Sequence, residues 1–204
     1  MKYQAVGTVV LLFIISLSAT AQNKDVVLQQ YIASESICKA SSKAENWETA
    51  ETECNNALAD AVKLPARYKR EKMNALTNYG FALFSQSKFD KAQVNFSKAL
   101  TIAKSFLTTS STDLGFAYFN VARAYQGMAS ITGKYIDPAE INYLQAEKIY
   151  RTAYSKATDP KTKADAKELL RKPIVLLNYI ATLRGDAAKV RATEARLKEL
   201  EDPK

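Results

Sequence analysis

The chain has 204 residues, with 29 Lys+Arg, 21 Asp+Glu and no histidine, for a formal net charge of +8. Without histidine, Ser-His-Asp and Cys-His nucleophilic machinery, His-ligated metals and His acid–base catalysis are excluded. Two cysteines alone cannot close a four-cysteine zinc site or hold an iron–sulfur cluster.

At the N-terminus, Lys2 precedes an apolar run, Ala5 to Leu17, and Ser18-Ala19-Thr20-Ala21 ends it before Gln22. A positive charge, an apolar core and a small-x-small ending predict a signal peptide over 1–21, cleaved after Ala21. Ala5 to Ala21 is at the short end for a bilayer span. No stable membrane insertion is therefore expected after cleavage, and the mature segment, 22–204, is expected to be periplasmic or secreted. In an oxidising compartment a lone pair such as Cys38 and Cys54 is often a disulfide, with two buried free thiols as the alternative.

Beyond Gln22, glycine and proline are sparse and the periodicity is helical. The pattern aromatic-x2-Ala-x3-large-x2-Ala occurs three times: Trp47, Ala50, Cys54, Ala57; Phe89, Ala92, Phe96, Ala99; and Tyr143, Ala146, Tyr150, Ala153. A fainter copy, Ala188, Ala192, Ala195, follows. Twelve residues before Ala50 and Ala92, the first alanines of the first two copies, stand Cys38 and Gly80, and Ala122 follows Gly80 by the 42 residues that separate those two. The third unit thus carries twelve extra residues between its halves. Alanines seven apart with a bulky residue between them share one helix face. Small residues opposed across a hairpin let two antiparallel helices approach closely, and one hairpin cannot bury both its faces alone.

The turn near Ala44 puts Cys38 about six and Cys54 about ten residues from it, an offset of about 6 Å at 1.5 Å per residue. That offset adds to about 8–10 Å between packed axes, whereas a disulfide requires Cα atoms about 4.4–6.8 Å apart. Export favours a bond and register opposes it, so the sequence leaves both states open.

Asn78-Tyr79-Gly80-Phe81-Ala82-Leu83-Phe84, then Gln86, Lys88-Phe89-Asp90-Lys91-Ala92 and Phe96-Ser97-Lys98-Ala99-Leu100, resembles a tetratricopeptide repeat almost throughout. The first unit matches mainly in its second helix; the third matches in both but is interrupted. The resemblance implies an all-α solenoid of stacked antiparallel helical hairpins. Three repeats are expected near 31–63, 73–104 and 116–157, with a divergent C-terminal hairpin over 160–201 as the end unit. Asp137-Pro138 and Asp159-Pro160 read as capped helix starts, Pro173 as a kink or restart, and Gly185-Asp186 as the last turn. Arg184-Gly185-Asp186 is accordingly read as a turn and not as an adhesion motif.

No phosphate-cradling glycine loop, GxSxG elbow or isolated carboxylate pair occurs. Glu48, Glu51 and Glu53 read as a solvated helix face. The expectation is a non-enzymatic protein without a cofactor. In tetratricopeptide-like stacks the first helix of each hairpin lines the concave surface. The resemblance therefore places Glu35, Lys39 and Lys43, then Asn78, Phe81 and Phe84, then Phe119, Asn120 and Arg123 there. Asn78 and Asn120, one repeat apart, are expected to hydrogen-bond a peptide backbone. Lys39, Lys43 or Arg123 would take a carboxylate, and Phe81, Phe84 and Phe119, taken as exposed, would supply apolar contact.

Charge is uneven: residues 22–62 carry three basic and seven acidic groups, and 63–104 carry nine and two. The cluster Lys63, Arg67, Lys69, Arg70 and Lys72 suggests a second reading, a basic patch for anionic envelope polymer or lipid headgroups. A protein or peptide partner is expected first, nucleic acid is not, and homo-oligomerisation is left open.

Overall fold

The structure, a computed structural model, describes residues 26–201. The expected signal peptide lies outside them. Eight helices and no strands occur among the described residues. They are α1 (26–43), α2 (Trp47–Lys63), α3 (Lys69–Ser85), α4 (Phe89–Lys104), α5 (Thr112–Thr132), α6 (Ile136–Lys156), α7 (Pro160–Leu183) and α8 (Ala187–Glu201). Each helix from α2 onward packs on its successor. The chain is an α-solenoid of four hairpins, the all-α stack expected from the repeat.

The three clear copies of the alanine pattern pack as their spacing requires, whereas Ala188, Ala192 and Ala195 of the fainter copy are exposed and Thr193 takes the packing face of α8. Ala50, Ala57, Ala92, Ala99 and Ala146 are all buried. The helices they lie on approach their partners closely enough that a Cβ on Gly80 would sit 2.6 Å from Phe96 Cε1. Core clusters span successive hairpins: Cys38, Ala50, Cys54 and Ala57 with Ala82 of α3, and Leu83, Ala92 and Phe96 with Val121 and Ala124 of α5. At the C-terminal end Phe119, Tyr143 and Tyr150 pack with Leu170, Ile174, Leu177 and Ile180 of α7.

The twelve extra residues of the third unit are helical and form no loop. With Gly80 aligned on Ala122 and Ala92 on Ala146, α5 runs five residues further than α3, and α6 starts seven residues earlier than α4. The turns stay three residues long, so the α5–α6 tip projects by about 8–10 Å at 1.5 Å per residue.

Cys38 and Cys54 are disulfide-bonded, with Cα atoms 4.6 Å apart, and both are fully buried. The expected register obstacle was overstated for two reasons. The turn occupies 44–46, so Cys38 is five residues from the end of α1 and Cys54 seven from the start of α2. Moreover, facing Cα atoms each stand about 2.3 Å off their axes toward one another, which shortens the lateral gap.

Caps follow the sequence in part. Asp159 is the N-cap of α7, accepting from Thr162 N and Oγ1 at 2.8 Å each. Asp137 is not the cap expected of it: α6 starts at Ile136, after a turn in which Gly133 and Tyr135 adopt positive φ, 68° and 71°. Asp137 instead pairs with Arg184, which also binds Glu140, and Lys189 Nζ reaches Glu140 at 2.6 Å. The Arg184-Gly185-Asp186 tripeptide is thus spent on structure, since Asp186 accepts from Lys189 N at 3.0 Å. Pro173 lies inside an unbroken α7, buried against the core. In α8 only Thr193 and Leu200 are buried, the one-sided packing an end unit needs. It is fastened by Arg196 to buried Glu147 at 2.6 Å, which Arg151 also holds at 2.9 Å.

Candidate functional site

The odd-numbered helices form one row of the stack and the even-numbered helices the other. Side chains connect neighbours along the odd row: Asn78 Nδ2 of α3 donates to Glu35 Oε1 of α1 at 3.4 Å, and Phe81 of α3 lies 5.8 Å from Phe116 of α5. Arg123 of α5 sits 4.4 Å from the ring centroid of Phe84 of α3.

Arg123 is the distinctive group. It is half-buried, and no carboxylate stands within ion-pair distance among the described residues. Burial lowers its pKa from the usual guanidinium range, and the Tyr143 hydroxyl opposes that shift. A guanidinium stays charged at any physiological pH, so the burial is a standing cost, offset in part by the Phe84 face. Its near neighbour Asn120 is only 1% exposed, and neither Nδ2 nor Oδ1 finds a partner among the described residues.

These positions correct the expected groove surface. Asn120 is buried, not open, and Phe119 is buried against Tyr143 at 5.5 Å. Phe81 is half-covered by Phe96 at 5.3 Å, and Phe84 by Phe89 at 5.1 Å. The reason is packing inside the hairpin as much as between hairpins: Phe81 and Phe84 meet rings of their own partner helix α4, and Phe119 meets Tyr143 of its partner α6 and the core shared with α7. Asn78 and Asn120 therefore do not form an open amide ladder, because Asn78 is engaged by Glu35 and Asn120 is enclosed. Lys39 is exposed and tied to Glu35 at 3.1 Å. Lys43 is exposed in the last turn of α1, two hairpins from Arg123.

The apolar surface that the odd row does present was not singled out from sequence. Val175, Tyr179 and Leu183, spaced by four on α7, are 41%, 50% and 59% exposed. Tyr179 and Leu183 line a cavity of about 250 Å³ with Gln126, Ala129 and Ser130 of α5 and with Ile136. The signal was present in the sequence. Ile174 to Tyr179 is apolar at five of six positions, a wider arc than a one-sided helix can bury.

The basic cluster is largely spent. Lys63 pairs with Asp60 at 2.8 Å and Arg70 with Asp113 at 2.7 Å. Arg67 stacks on Tyr68 at 4.8 Å, and Lys69 Nζ reaches Ser105 O at 3.5 Å. Of the five cations only Lys72 makes no such contact among the described residues.

No family model matches the chain, and no curated protein matches its sequence. Among solved structures, it is similar to the crystal structure of BtubC (BKLC) from P. vanneervenii. The identity there is 13% over 89% of this chain and 90% of that one, with a TM-score of 0.47. It is also similar to the de novo designed helical repeat protein DHR64, 16% identical over 89% of this chain and 98% of that one, with a TM-score of 0.43. Neither score bears on the fold, which stands on the helices and contacts described above.

Proposed function

We propose that this chain is a non-enzymatic, tetratricopeptide-like binding module of the bacterial cell envelope that takes a peptide or protein segment along its odd-helix row. Arg123 carries the reading: a half-buried cation, held over Phe84 and lacking a carboxylate of its own, is a binding point for an anionic group of a partner. Val175, Tyr179 and Leu183 supply the apolar contact further along the row. Asn120, three residues before Arg123 on α5, is the third element, a buried amide without a hydrogen-bond partner among the described residues. Export of the mature segment from Gln22 is part of the proposal, and the buried Cys38–Cys54 disulfide supports an oxidising compartment.

The test is partner capture from envelope extract by the mature protein and by an Arg123→Ala variant, with thermal melting of both. Capture should fall while the melting temperature holds within a few degrees. Early melting together with loss of capture would make Arg123 a structural residue.

A further inference from the structure

Separate from the region around Arg123, a trough of about 570 Å³ lies between α2 and α4, floored by α3. Its walls are Leu58 and Val62 of α2 and Ile102 of α4, and Leu76 of α3 lies beneath. Val62 is 66% exposed, an unusual exposure for an aliphatic side chain on an otherwise one-sided helix. Lys72 and Lys98 also line the trough, and neither has an ion-pair partner among the described residues. No carboxylate lines it, and the Thr101 hydroxyl in its wall is committed to Ser97 O at 3.0 Å. The volume falls within the range of about 300–1,000 Å³ found for small-molecule sites.

We infer that this trough binds a single-chain anionic amphiphile, a medium-chain carboxylate, with its alkyl chain on Leu58, Val62, Leu76 and Ile102 and its headgroup between Lys72 and Lys98. Two unpaired ammonium groups beside an apolar floor complement that one chemistry. A neutral alkyl chain leaves the lysines unmatched, and a headgroup alone leaves the floor wet. Lys72 is half-buried and Lys98 exposed, and lysines so placed can lay their stems on apolar surface while the charged ends stay in water. The site shares no residue with the region around Arg123, so it stands or falls separately from the odd-row proposal.

The experiment is calorimetric titration of the mature protein with dodecanoate below its critical micelle concentration and with dodecan-1-ol below its aqueous solubility limit. Dodecanoate should bind at one site, at least tenfold more tightly than the alcohol. A Lys72→Gln/Lys98→Gln variant should lose about tenfold for dodecanoate and nothing for dodecan-1-ol. Val62→Asp, at a position exposed enough to leave folding intact, should abolish both, with helicity by circular dichroism unchanged. Arg123→Ala should bind dodecanoate as the parent does. Equal binding of acid and alcohol would overturn the inference, as would dodecanoate binding indifferent to the lysine variant. So would binding seen only to phosphatidylglycerol vesicles, or only to an acidic amphipathic helical peptide, and not to the monomeric acid.

Discussion

Gly80 of α3 lies directly against Phe96 of α4: a Cβ added to Gly80 would stand 2.6 Å from Cε1 and 2.7 Å from Cδ1 of that ring. Phe96 is 1% exposed and wedged against Phe81, so the ring cannot swing aside. Gly80→Ala gains about 1 kcal/mol of helix propensity. It meets an overpacking cost of typically about 1–3 kcal/mol, and because Phe96 has no room the cost should dominate. Urea denaturation should show a lower midpoint with an unchanged slope. An equal or higher midpoint would mean that the α3–α4 interface gives more readily than described.

Cys38 and Cys54 close a short loop across the first hairpin, 16 residues apart in sequence. A cross-link of that span stabilises by about 3 kcal/mol. Both sulfurs are inaccessible, so dithiothreitol should reduce the bond slowly in the native protein and quickly in urea. A Cys38→Ala/Cys54→Ala variant should melt several degrees lower than the oxidised parent. Rapid reaction of native protein with a thiol reagent, before any reductant, would contradict the bond.

Acid should loosen the ion pairs that Glu140 makes with Arg184 and Lys189. Burial raises the pKa of Glu140, but Lys189 and Arg184 outweigh it and the net shift is downward. The Lys88 hydrogen bond likewise lowers Glu51, and those of Lys63 and Ser34 lower Asp60. A carboxylate with a lowered folded-state pKa contributes stability above its unfolded pKa, about 4, and loses it as the pH falls through the folded value. Melting temperature should therefore decline below about pH 4–5, and the decline should be shallower in Glu140→Gln, which is less stable at neutral pH. Parallel curves for parent and variant would remove Glu140 from the account.

Asn120 offers a stability readout opposite to that of a working structural residue. Replacing a buried amide with unmet hydrogen bonds by an apolar group of similar shape relieves about 1–3 kcal/mol. Asn120→Leu should melt higher by a few degrees while capturing less partner, a trade of stability for function. A lower melting temperature would show that the amide is satisfied in the free protein.

Much of the architecture was legible because it rests on local rules. Alanines seven apart marked the packing face of the first three hairpins, though not of α8, where Ala188 and Ala195 are exposed, and the 42-residue spacing of Cys38, Gly80 and Ala122 set those hairpins in register. Asp159-Pro160 marked a true helix start. Asp137-Pro138 misled because the start of α6 is governed by Gly133 and Tyr135, whose positive φ values depend on how the α5–α6 turn closes. Which residues of the odd row reach solvent was not legible. Phe119 reads from the sequence as groove-facing, yet Tyr143 of its partner helix α6 and the core shared with α7 bury it, a relation between segments that no single-helix periodicity encodes. Arg123 was identifiable as a cation on α5, but its position over Phe84 required the angle at which α3 and α5 meet.

The central claim is that a partner lies along the odd row, and site-specific photo-crosslinking addresses it directly. Benzoylphenylalanine at Tyr179 of α7 and, separately, at Val94 of α4 places one probe on each row at nearly equal exposure, 50% and 48%. After irradiation of the mature protein in envelope extract, the account predicts a discrete protein adduct from position 179 that Arg123→Ala diminishes, and none from position 94. An adduct from position 94 alone would put the partner on the even row and contradict it.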